Sequence, residues 1–270
     1  MALKFTILGC GSSSGVPRIT GDWGVCDSEE PKNRRQRCAL LVQKETRDGQ
    51  TNILIDVGPD IRNQILCAQL SMIDAVILTH EHADHTHGID DLRAFVQDSK
   101  KQMPVYMTKQ VFTDISNKFA YCFEQYEGSL YPAILKTVNI EYHQSFKISG
   151  AGGDIEVLPI KLTHGNINAA GFLIDGVMYT PDVNDIPKES LYAFDNLDVW
   201  IIDALRPSEH VSHFSLSDAL GWIRNKRPQR AVITNMTSEL DYKTLKQSLS
   251  ETNLNIIPAY DGMSFVVETD

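Results

Sequence analysis

Short apolar segments rich in β-branched residues recur along the chain and predict β-strands. Several of them are apolar at nearly every position, which is typical of strands that are buried on both faces. The predicted strands are Lys4–Leu8, Ala39–Gln43, Asn52–Asp56, Ala75–Leu78, Val105–Met107, Ile155–Lys161, Ala170–Ile174, Val177–Thr180, Val199–Ile202, Ala231–Thr234, Asn255–Pro258 and Ser264–Val267.

Helical periodicity occurs between some of these strands. The predicted helices are Pro59–Ala68, Gly88–Asp98, Lys109–Phe119, Leu216–Arg224 and Tyr242–Leu249. Either Ser215 or Ser217 is suited to cap the fourth helix, and Asp175-Gly176 is a tight-turn signal between two strands. Strands outnumber helices, and we find no internal repeat or flexible linker. We therefore expect an α/β fold of packed sheets with helices outside, forming one domain over residues 1–270.

The charge balance narrows the range of partners. The chain has 25 basic and 35 acidic residues, so its formal net charge is −10. Long nucleic acids and anionic membranes are disfavoured, because binding to either needs an excess of Lys and Arg. No apolar run approaches the roughly 18 residues of a membrane-spanning helix, and the first residues lack the features of a signal peptide. The chain has five cysteines, an odd number that fits free thiols better than a set of disulfides. These features together predict a cytoplasmic protein with reduced thiols.

A polar segment, Gly21–Arg37, resembles a long surface loop and ends in a basic run. This run, Lys32–Arg37, contains Lys32, Arg34, Arg35 and Arg37. Such a run is suited to hold phosphate, but it is equally compatible with a solvated basic surface. The sequence leaves both interpretations open.

Metal-binding side chains are concentrated directly after the predicted strand Ala75–Leu78. Four histidines and one aspartate lie within the eight residues that begin at His80. Residues two apart at a strand end project to the same side, so His80 and His82 can converge on one cation. Asp84 and His85 follow and are available to a second cation. Imidazole and carboxylate ligands favour Zn, Mn or Fe.

Two further candidate ligands lie far along the chain. His164 comes just after an apolar run that ends at Thr163, and Asp182 follows the strand Val177–Thr180. Loops at strand ends are where functional residues concentrate. We expect both side chains to join the His80 segment.

The pattern His80-x-His82-x-Asp84-His85, with the distal His164 and Asp182, resembles the metallo-β-lactamase superfamily. This resemblance implies a four-layer αββα sandwich with a two-metal site at one edge of the sheets. It further implies that Asp56 lies beneath the site as a supporting carboxylate. The ligand assignment that it implies is His80, His82 and His164 for the first metal, Asp84 and His85 for the second, and Asp182 bridging both.

Three flanking segments narrow the resemblance within the superfamily. Leu8–Pro17, His85–Arg93 and Thr180–Val183 are similar to the corresponding segments of the PhnP-like phosphodiesterases, which are relatives of the tRNA 3′-processing endonucleases. The similarity extends over nearly the whole chain. An aspartate at position 182, where true β-lactamases typically use cysteine, argues against antibiotic hydrolysis.

The chain departs from this subgroup at two places. Asn235, in Thr234-Asn235-Met236, stands where the subgroup usually offers a final histidine ligand. An amide oxygen is a weaker zinc ligand than imidazole, so the second metal site is expected to be weak, differently selective or filled through water. The close cysteine cluster of the namesake enzymes is also missing, since only Cys26 and Cys38 lie in that region. We therefore expect no structural zinc.

The resemblance also implies residues that act on the substrate. His213 corresponds to a histidine that acts as general acid or orients the leaving group in the related nucleases, with His210 as its neighbour. A capping or structural role for His213 is the alternative. Arg93 and Arg206 are candidate phosphate ligands, because guanidinium groups hold phosphate in bidentate fashion. Ordinary surface pairing is an equal alternative for both.

These residues together predict a metal-dependent phosphodiesterase that acts on a small or cyclic nucleotide-like phosphodiester. The nucleophile is expected to be a metal-activated hydroxide oriented by Asp84, and the metals to be two Zn or Mn ions. The alternatives are a thioester or lactone hydrolase of the same fold, and a nucleotide-binding protein with a weakened metal centre. Dimers are common among the proteins it resembles, so a homodimer is compatible with the sequence.

Overall fold

Two seven-stranded sheets lie face to face in the computed structural model, which describes residues 2–268. The first sheet contains β1 (Ala2–Gly9), β2 (Ala39–Thr46), β3 (Gly49–Ile55), β4 (Ala75–Ile77), β5 (Met103–Met107), β6 (Leu135–Asn139) and β14 (Met263–Glu268). The second contains β7 (Phe146–Ile148), β8 (Ile155–His164), β9 (Ile167–Ile174), β10 (Val177–Thr180), β11 (Val199–Asp203), β12 (Arg230–Thr234) and β13 (Ile256–Pro258). Their orders are β14-β1-β2-β3-β4-β5-β6 and β13-β12-β11-β10-β9-β8-β7.

Helices cover the outer faces of both sheets. The α-helices are α1 (Ile61–Ala68), α2 (Ala83–Thr86), α3 (Arg93–Ser99), α4 (Lys109–Lys118), α5 (Ala120–Phe123), α6 (Leu216–Lys226) and α7 (Tyr242–Ser250). In the described part of the chain, 3-10 helices span Pro31–Asn33, Ile89–Leu92 and Lys188–Phe194. Helices α1, α4 and α5 pack on the first sheet, and α6 and α7 on the second. The expected αββα sandwich is therefore confirmed.

Strand β2 shows why the sandwich forms. Leu40 and Val42 enter the apolar core between the two sheets. Ala39 and Leu41 point to the opposite face and pack under the helices of the first sheet. Since alternate side chains of a strand project to opposite faces, a strand apolar at successive positions must be covered on both sides.

The strand directions bring many chain segments to one edge. Strands β3 and β4 are parallel, as are β10, β11 and β12, so within each group the carboxyl ends of the strands share one side of their sheet. Strand β1 runs antiparallel to β2, which runs antiparallel to β3, so β1 also ends at this edge. The loops that follow these strands carry the candidate site.

The structure confirms two local signals of the sequence, a tight turn and a helix cap. The turn at Asp175-Gly176 joins β9 to β10, with both residues at positive φ. Ser215 caps α6, and Asp218 completes a capping box with it.

Strands β6 and β7 and the short helices were not predicted. No helix within residues 2–268 is long and apolar enough to span a bilayer. The extent of the domain, residues 1–270, remains a prediction.

Candidate metal centre

A buried carboxylate anchors the histidine loop from below. Asp56 follows β3 with a φ of 67° and is fully buried. Thr79 donates its backbone N–H and its hydroxyl to this carboxylate at 2.9 Å and 2.8 Å. His85 Nδ1 donates to Asp56 Oδ2 at 2.7 Å. Asp56 therefore fixes the ring of His85 with its Nε2 directed towards the rest of the site.

Three imidazoles converge above this carboxylate. His80 Nε2 lies 2.9 Å from His82 Nδ1, and His164 Nε2 lies 3.3 Å from the same atom. Strand β8 places His164 at its last residue, and Ser212 O accepts its Nδ1–H at 2.6 Å. Burial lowers the pKa of His80 well below its ordinary value. The ring is therefore neutral, which is the form that binds metals.

A second group of side chains adjoins the first through Asp182. His80, His85 and Asp182 have ligand atoms within 4.8 Å of one another, as do His164, Asp182 and His213. Asp182 follows β10 and is almost fully buried, and Asp84 Oδ2 lies 3.5 Å from His85 Nε2. Asp182 thus stands between the two groups of imidazoles.

The electrostatics of the centre favour a cation. Burial lowers the pKa of His85, but Asp182, Asp56 and Asp84 together raise it well above its ordinary value. Conversely, burial raises the pKa of Asp182, yet the surrounding imidazoles, His85 foremost, bring it well below its ordinary range. Three carboxylates close to one buried imidazole favour positive charge at this point, which either a proton on His85 or a bound cation supplies.

The donor atoms also fit a divalent metal. His85 Nε2 and Asp182 Oδ2 lie 3.0 Å apart, but their angles do not make a hydrogen bond, and both buried atoms lack a partner within residues 2–268. Three imidazole nitrogens and a carboxylate are the ligand types that Zn and related metals prefer. The chain can therefore hold a metal at His80, His82 and His164, with the adjoining group of His80, His85 and Asp182 as a further set of ligands.

Asn235 lies at the end of β12 and faces the acids. Its φ is 61°, and its Nδ2 donates to Asp203 Oδ1 at 3.2 Å and to Asp182 Oδ1 at 3.4 Å. Its Oδ1 faces the buried Cys38 thiol at 3.9 Å. The amide hydrogens, and not the amide oxygen, are thus directed at the expected second metal site.

His213 is held by a carboxylate that sequence reasoning missed. Asp203, the last residue of β11, is fully buried and accepts His213 Nδ1–H at 2.8 Å. Burial lowers the pKa of His213, but Asp203 raises it to about 8. The available signal was position, since Asp203, like Asp182, follows an apolar strand that ends at this edge.

The remaining predicted residues lie around or away from this group. His210 lies beside His213, with ring centroids 5.2 Å apart, and both line a cavity of about 460 Å³. Arg93 pairs with Asp90, and Arg206 donates to Glu209 O at 2.8 Å. Neither arginine contacts the metal-binding side chains, so their role as phosphate ligands stays a prediction.

Comparison with known families gives the class of this protein. Residues 51–236, more than half of the chain, match the beta-lactamase superfamily domain. The chain belongs to this superfamily. It is similar over 98% of its length to an octanoyltransferase of Porphyromonas gingivalis strain W83, with 30% identity, and covers 52% of that protein. It thus spans about half the length of this curated relative.

Among solved structures, the chain is similar over its whole length to a protein of the PhnP family. A new diphosphatase from the PhnP family is 27% identical, with a TM-score of 0.87, and the match covers 100% of this chain and 98% of that one. The short form of human tRNase Z has a TM-score of 0.65 at 17% identity and covers 99% of each chain. Zinc-bound PqqB from Methylobacterium extorquens has a TM-score of 0.74 at 16% identity, and the match covers 97% of this chain and 99% of that one. The last two likenesses show the fold alone.

Proposed function

We propose that the protein is a metal-dependent phosphodiesterase that acts on a small or cyclic nucleotide-like phosphodiester. The observation that carries the proposal is the convergence of His80, His82, His164 and Asp182 at one sheet edge, beside a histidine–aspartate pair. The similarity to a PhnP-family diphosphatase supports chemistry at phosphorus.

The residues divide into those that hold a metal and those that handle protons. A divalent metal bound by His80, His82, His164 and Asp182 would polarise water and offset the charge that develops on the phosphoryl oxygens. Asp84 is partly exposed beside His85, where it can accept a hydrogen bond from the attacking water and orient it.

His213 acts on the leaving group, whereas Asp84 acts on the attacking water. Its Nδ1–H is held by Asp203, so its Nε2 is the atom that delivers a proton to the leaving oxygen. The raised pKa of about 8 keeps this ring protonated at neutral pH. Both features suit a general acid.

We further propose that this chain uses one tightly bound metal. The Nδ2 group of Asn235 donates to Asp182 and Asp203, which occupies the direction in which a second metal would need a ligand. A second metal would retain Asp84, His85 and Asp182 only. Zn and Mn are both compatible with the first site.

The direct test is hydrolysis of bis(p-nitrophenyl) phosphate by the full chain with Zn or Mn added. We expect turnover that is abolished by chelation and restored by metal. Correctly folded, metal-loaded protein without turnover on this ester or on 2′,3′-cyclic nucleotides would contradict the proposal.

A second candidate is hydrolysis of an acyl ester or thioester on the same metal. The curated relative of which this chain covers half is named an octanoyltransferase, and that name concerns acyl chemistry. Turnover of octanoyl thioesters or of lactones, without turnover of phosphodiesters, would favour this candidate. A third candidate, a nucleotide-binding protein with a weakened centre, predicts nucleotide binding without turnover of either class.

The location, domain organisation and partners of the protein are also proposals. We propose a cytoplasmic location, a single domain, a small phosphorylated substrate and no association with membranes or long nucleic acid. A homodimer is also proposed. Size-exclusion chromatography with light scattering would test the last point.

A further inference from the structure

The proposed mechanism assigns no role to the cavity beside His213, which we call the His213 cavity. It has a volume of about 460 Å³ and lies between helix α6 and the loop that carries His210 and His213. Sites for small organic ligands typically have volumes of about 300–1,000 Å³. The cavity is therefore large enough for an organic group of the substrate.

The His213 cavity adjoins the metal-binding side chains. The ligand atoms of His213, His164 and Asp182 lie within 4.8 Å of one another. Asn184, another residue of the lining, follows Asp182 by two positions, and its Oδ1 accepts Gly165 N–H at 2.7 Å. In the proposed mechanism, the leaving oxygen takes its proton from His213. The group bonded to that oxygen is therefore the part of the substrate nearest to this cavity.

A glycine in the middle of helix α6 keeps the cavity open. Gly221 is exposed and lines the cavity, and a Cβ at this position would have no other atom within 4 Å. Its φ is not positive, so the backbone conformation does not require glycine. Glycine inside a helix costs about 0.5–1 kcal/mol relative to alanine. Neither packing nor conformation explains this cost, whereas the space that the missing side chain leaves does.

An aromatic side chain forms one wall of the cavity. Trp222 is half-buried, and its ring centre lies 6.2 Å from that of the buried Phe214, which also lines the cavity. Indole rings bind planar heteroaromatic groups by stacking, and this contact tolerates every kind of nucleobase. The wall therefore suits a base.

The polar groups of the lining favour a neutral ligand that donates hydrogen bonds. Glu209 and Asp218 contribute carboxylates, and none of the described lining residues is Lys or Arg. Asp218 Oδ2 accepts Ser215 N–H and the Ser215 hydroxyl at 3.0 Å and 2.6 Å, which leaves Oδ1 to accept from a ligand. Carboxylates accept hydrogen bonds from hydroxyl and amino groups and repel phosphate. A phosphorylated group is therefore disfavoured here.

We propose that the His213 cavity binds the leaving group of the substrate and that this group is an unphosphorylated nucleoside. Its base stacks on Trp222, and its hydroxyl and amino groups donate to Glu209 and Asp218. The phosphorus–oxygen bond to the nucleoside breaks as that oxygen takes the proton of His213, so the product in the cavity is a nucleoside with a free hydroxyl group. The proposal rests on the proposed function and deepens it, because it states which half of the phosphodiester leaves.

The test is a titration of the metal-loaded, ¹⁵N-labelled full chain with adenosine, followed by NMR. The chain has three tryptophans, so its spectrum holds three indole N–H signals, and the variant Trp222→Phe assigns the one from the cavity. We expect a saturable shift of the Trp222 signal, whereas the signals of Trp23 and Trp200 stay in place. A shift of the Trp23 signal in its stead would mean that adenosine binds elsewhere, and would overturn the proposal.

Two substitutions change the cavity in different ways. Gly221→Leu fills the space and should weaken adenosine binding, measured by calorimetry, at least about tenfold. Glu209→Gln removes one charged acceptor and should weaken it about tenfold, the effect of one charge-assisted hydrogen bond. The matched controls are Gln247→Leu and Glu251→Gln, the same new side chains at exposed positions within α7 and directly after it. Both controls should bind adenosine as the wild type does.

Unfolding in urea separates loss of the site from loss of the fold. Leucine is a better helix former than glycine, so Gly221→Leu should be at least as stable as the wild type. An unshifted Trp222 signal, or a Gly221→Leu variant that binds adenosine as tightly as the wild type, would contradict the proposal. Adenosine binding without turnover of phosphodiesters would refute the proposed hydrolysis and leave the nucleoside site in place. Turnover without adenosine binding would refute the site and leave the hydrolysis in place.

Discussion

At the scale of single residues, Asn235 is the side chain that we propose limits the centre to one tightly bound metal. Its side chain donates hydrogen bonds to Asp182 and Asp203, whereas a metal ligand must offer a lone pair. The substitution Asn235→His supplies an imidazole nitrogen at this position. We expect metal content, measured by mass spectrometry, to rise from one towards two equivalents per chain.

The matched control for this experiment is Asn225→His on the wall of the cavity beside His213. It adds an imidazole near the centre without adding a ligand, so the metal content should stay at one. Two metals in the wild-type chain would contradict our account of Asn235. Recovered turnover in Asn235→His alone would instead favour a nucleotide-binding protein with a weakened centre.

His213 makes a prediction that depends on the leaving group. A general acid matters when the departing oxygen is basic, and it matters little for p-nitrophenolate. We therefore expect His213→Gln to lower kcat/KM about 10²–10⁴-fold on alkyl phosphodiesters, but much less on bis(p-nitrophenyl) phosphate.

The control is His143→Gln, which changes an imidazole that contacts Tyr192 and belongs to none of the groups of metal-binding residues. It should leave both rates unchanged. An equal loss on both substrates in His213→Gln would mean that this ring supports the structure and does not act as an acid.

At the scale of secondary-structure elements, Asp241, the residue immediately before α7, links that helix to the polar segment Gly21–Arg37. Asp241 accepts hydrogen bonds from Thr244 N, at 2.9 Å, and from Asn33 Nδ2 and Asp27 N. Burial raises its pKa, but these hydrogen bonds bring it from its ordinary value of 3.8 to about 2. Asp241→Ala should cost about 1 kcal/mol in urea unfolding at pH 7.

This difference should depend on pH in a defined direction. Because the folded-state pKa lies below the unfolded one, the ionised carboxylate contributes its stability above about pH 4. The contribution is lost as the pH falls from about 4 to about 2, so the two stabilities should converge there. The Asp241→Asn variant, which keeps a capping oxygen, should lie between them. A constant difference over this range would contradict the assignment.

Most elements could be predicted because their patterns are local. The pattern of apolar residues along the chain is enough to predict the long apolar strands and the amphipathic helix α4. Strand β6 was not predicted because three of its five residues are polar and do not alternate with apolar ones, and β7 was not predicted because it has only three residues. His80, His82 and His85 were visible from their spacing, whereas Asp203 becomes a partner of His213 only after β11 is placed beside β10.

At the scale of the whole molecule, the candidate centre connects the two sheets. Asp56, His80 and His85 lie in the connections that follow strands of the first sheet, whereas His164 ends strand β8 and Asp182 follows strand β10 in the second sheet. A metal bound by both sets therefore stabilises the packing of the sheets against each other. At free Zn a hundredfold above its Kd, the free energy of unfolding should rise by about 2.7 kcal/mol.

Calorimetry of chelated and reloaded protein measures this gain. The variant His82→Ala, at an exposed ligand position, should show little of it. If chelated and loaded proteins unfold at the same temperature, the metal does not connect the sheets.

The most direct test of the central claim is metal analysis of the full chain purified without chelators, combined with assays of the same samples. We predict one divalent metal per chain, lost together with phosphodiester turnover in His82→Ala. In the control His87→Ala, metal and turnover should both be retained, because this exposed ring packs on Phe119 outside the metal-binding group. Wild-type protein that binds no metal, or a His82→Ala variant that keeps both metal and turnover, would contradict the account.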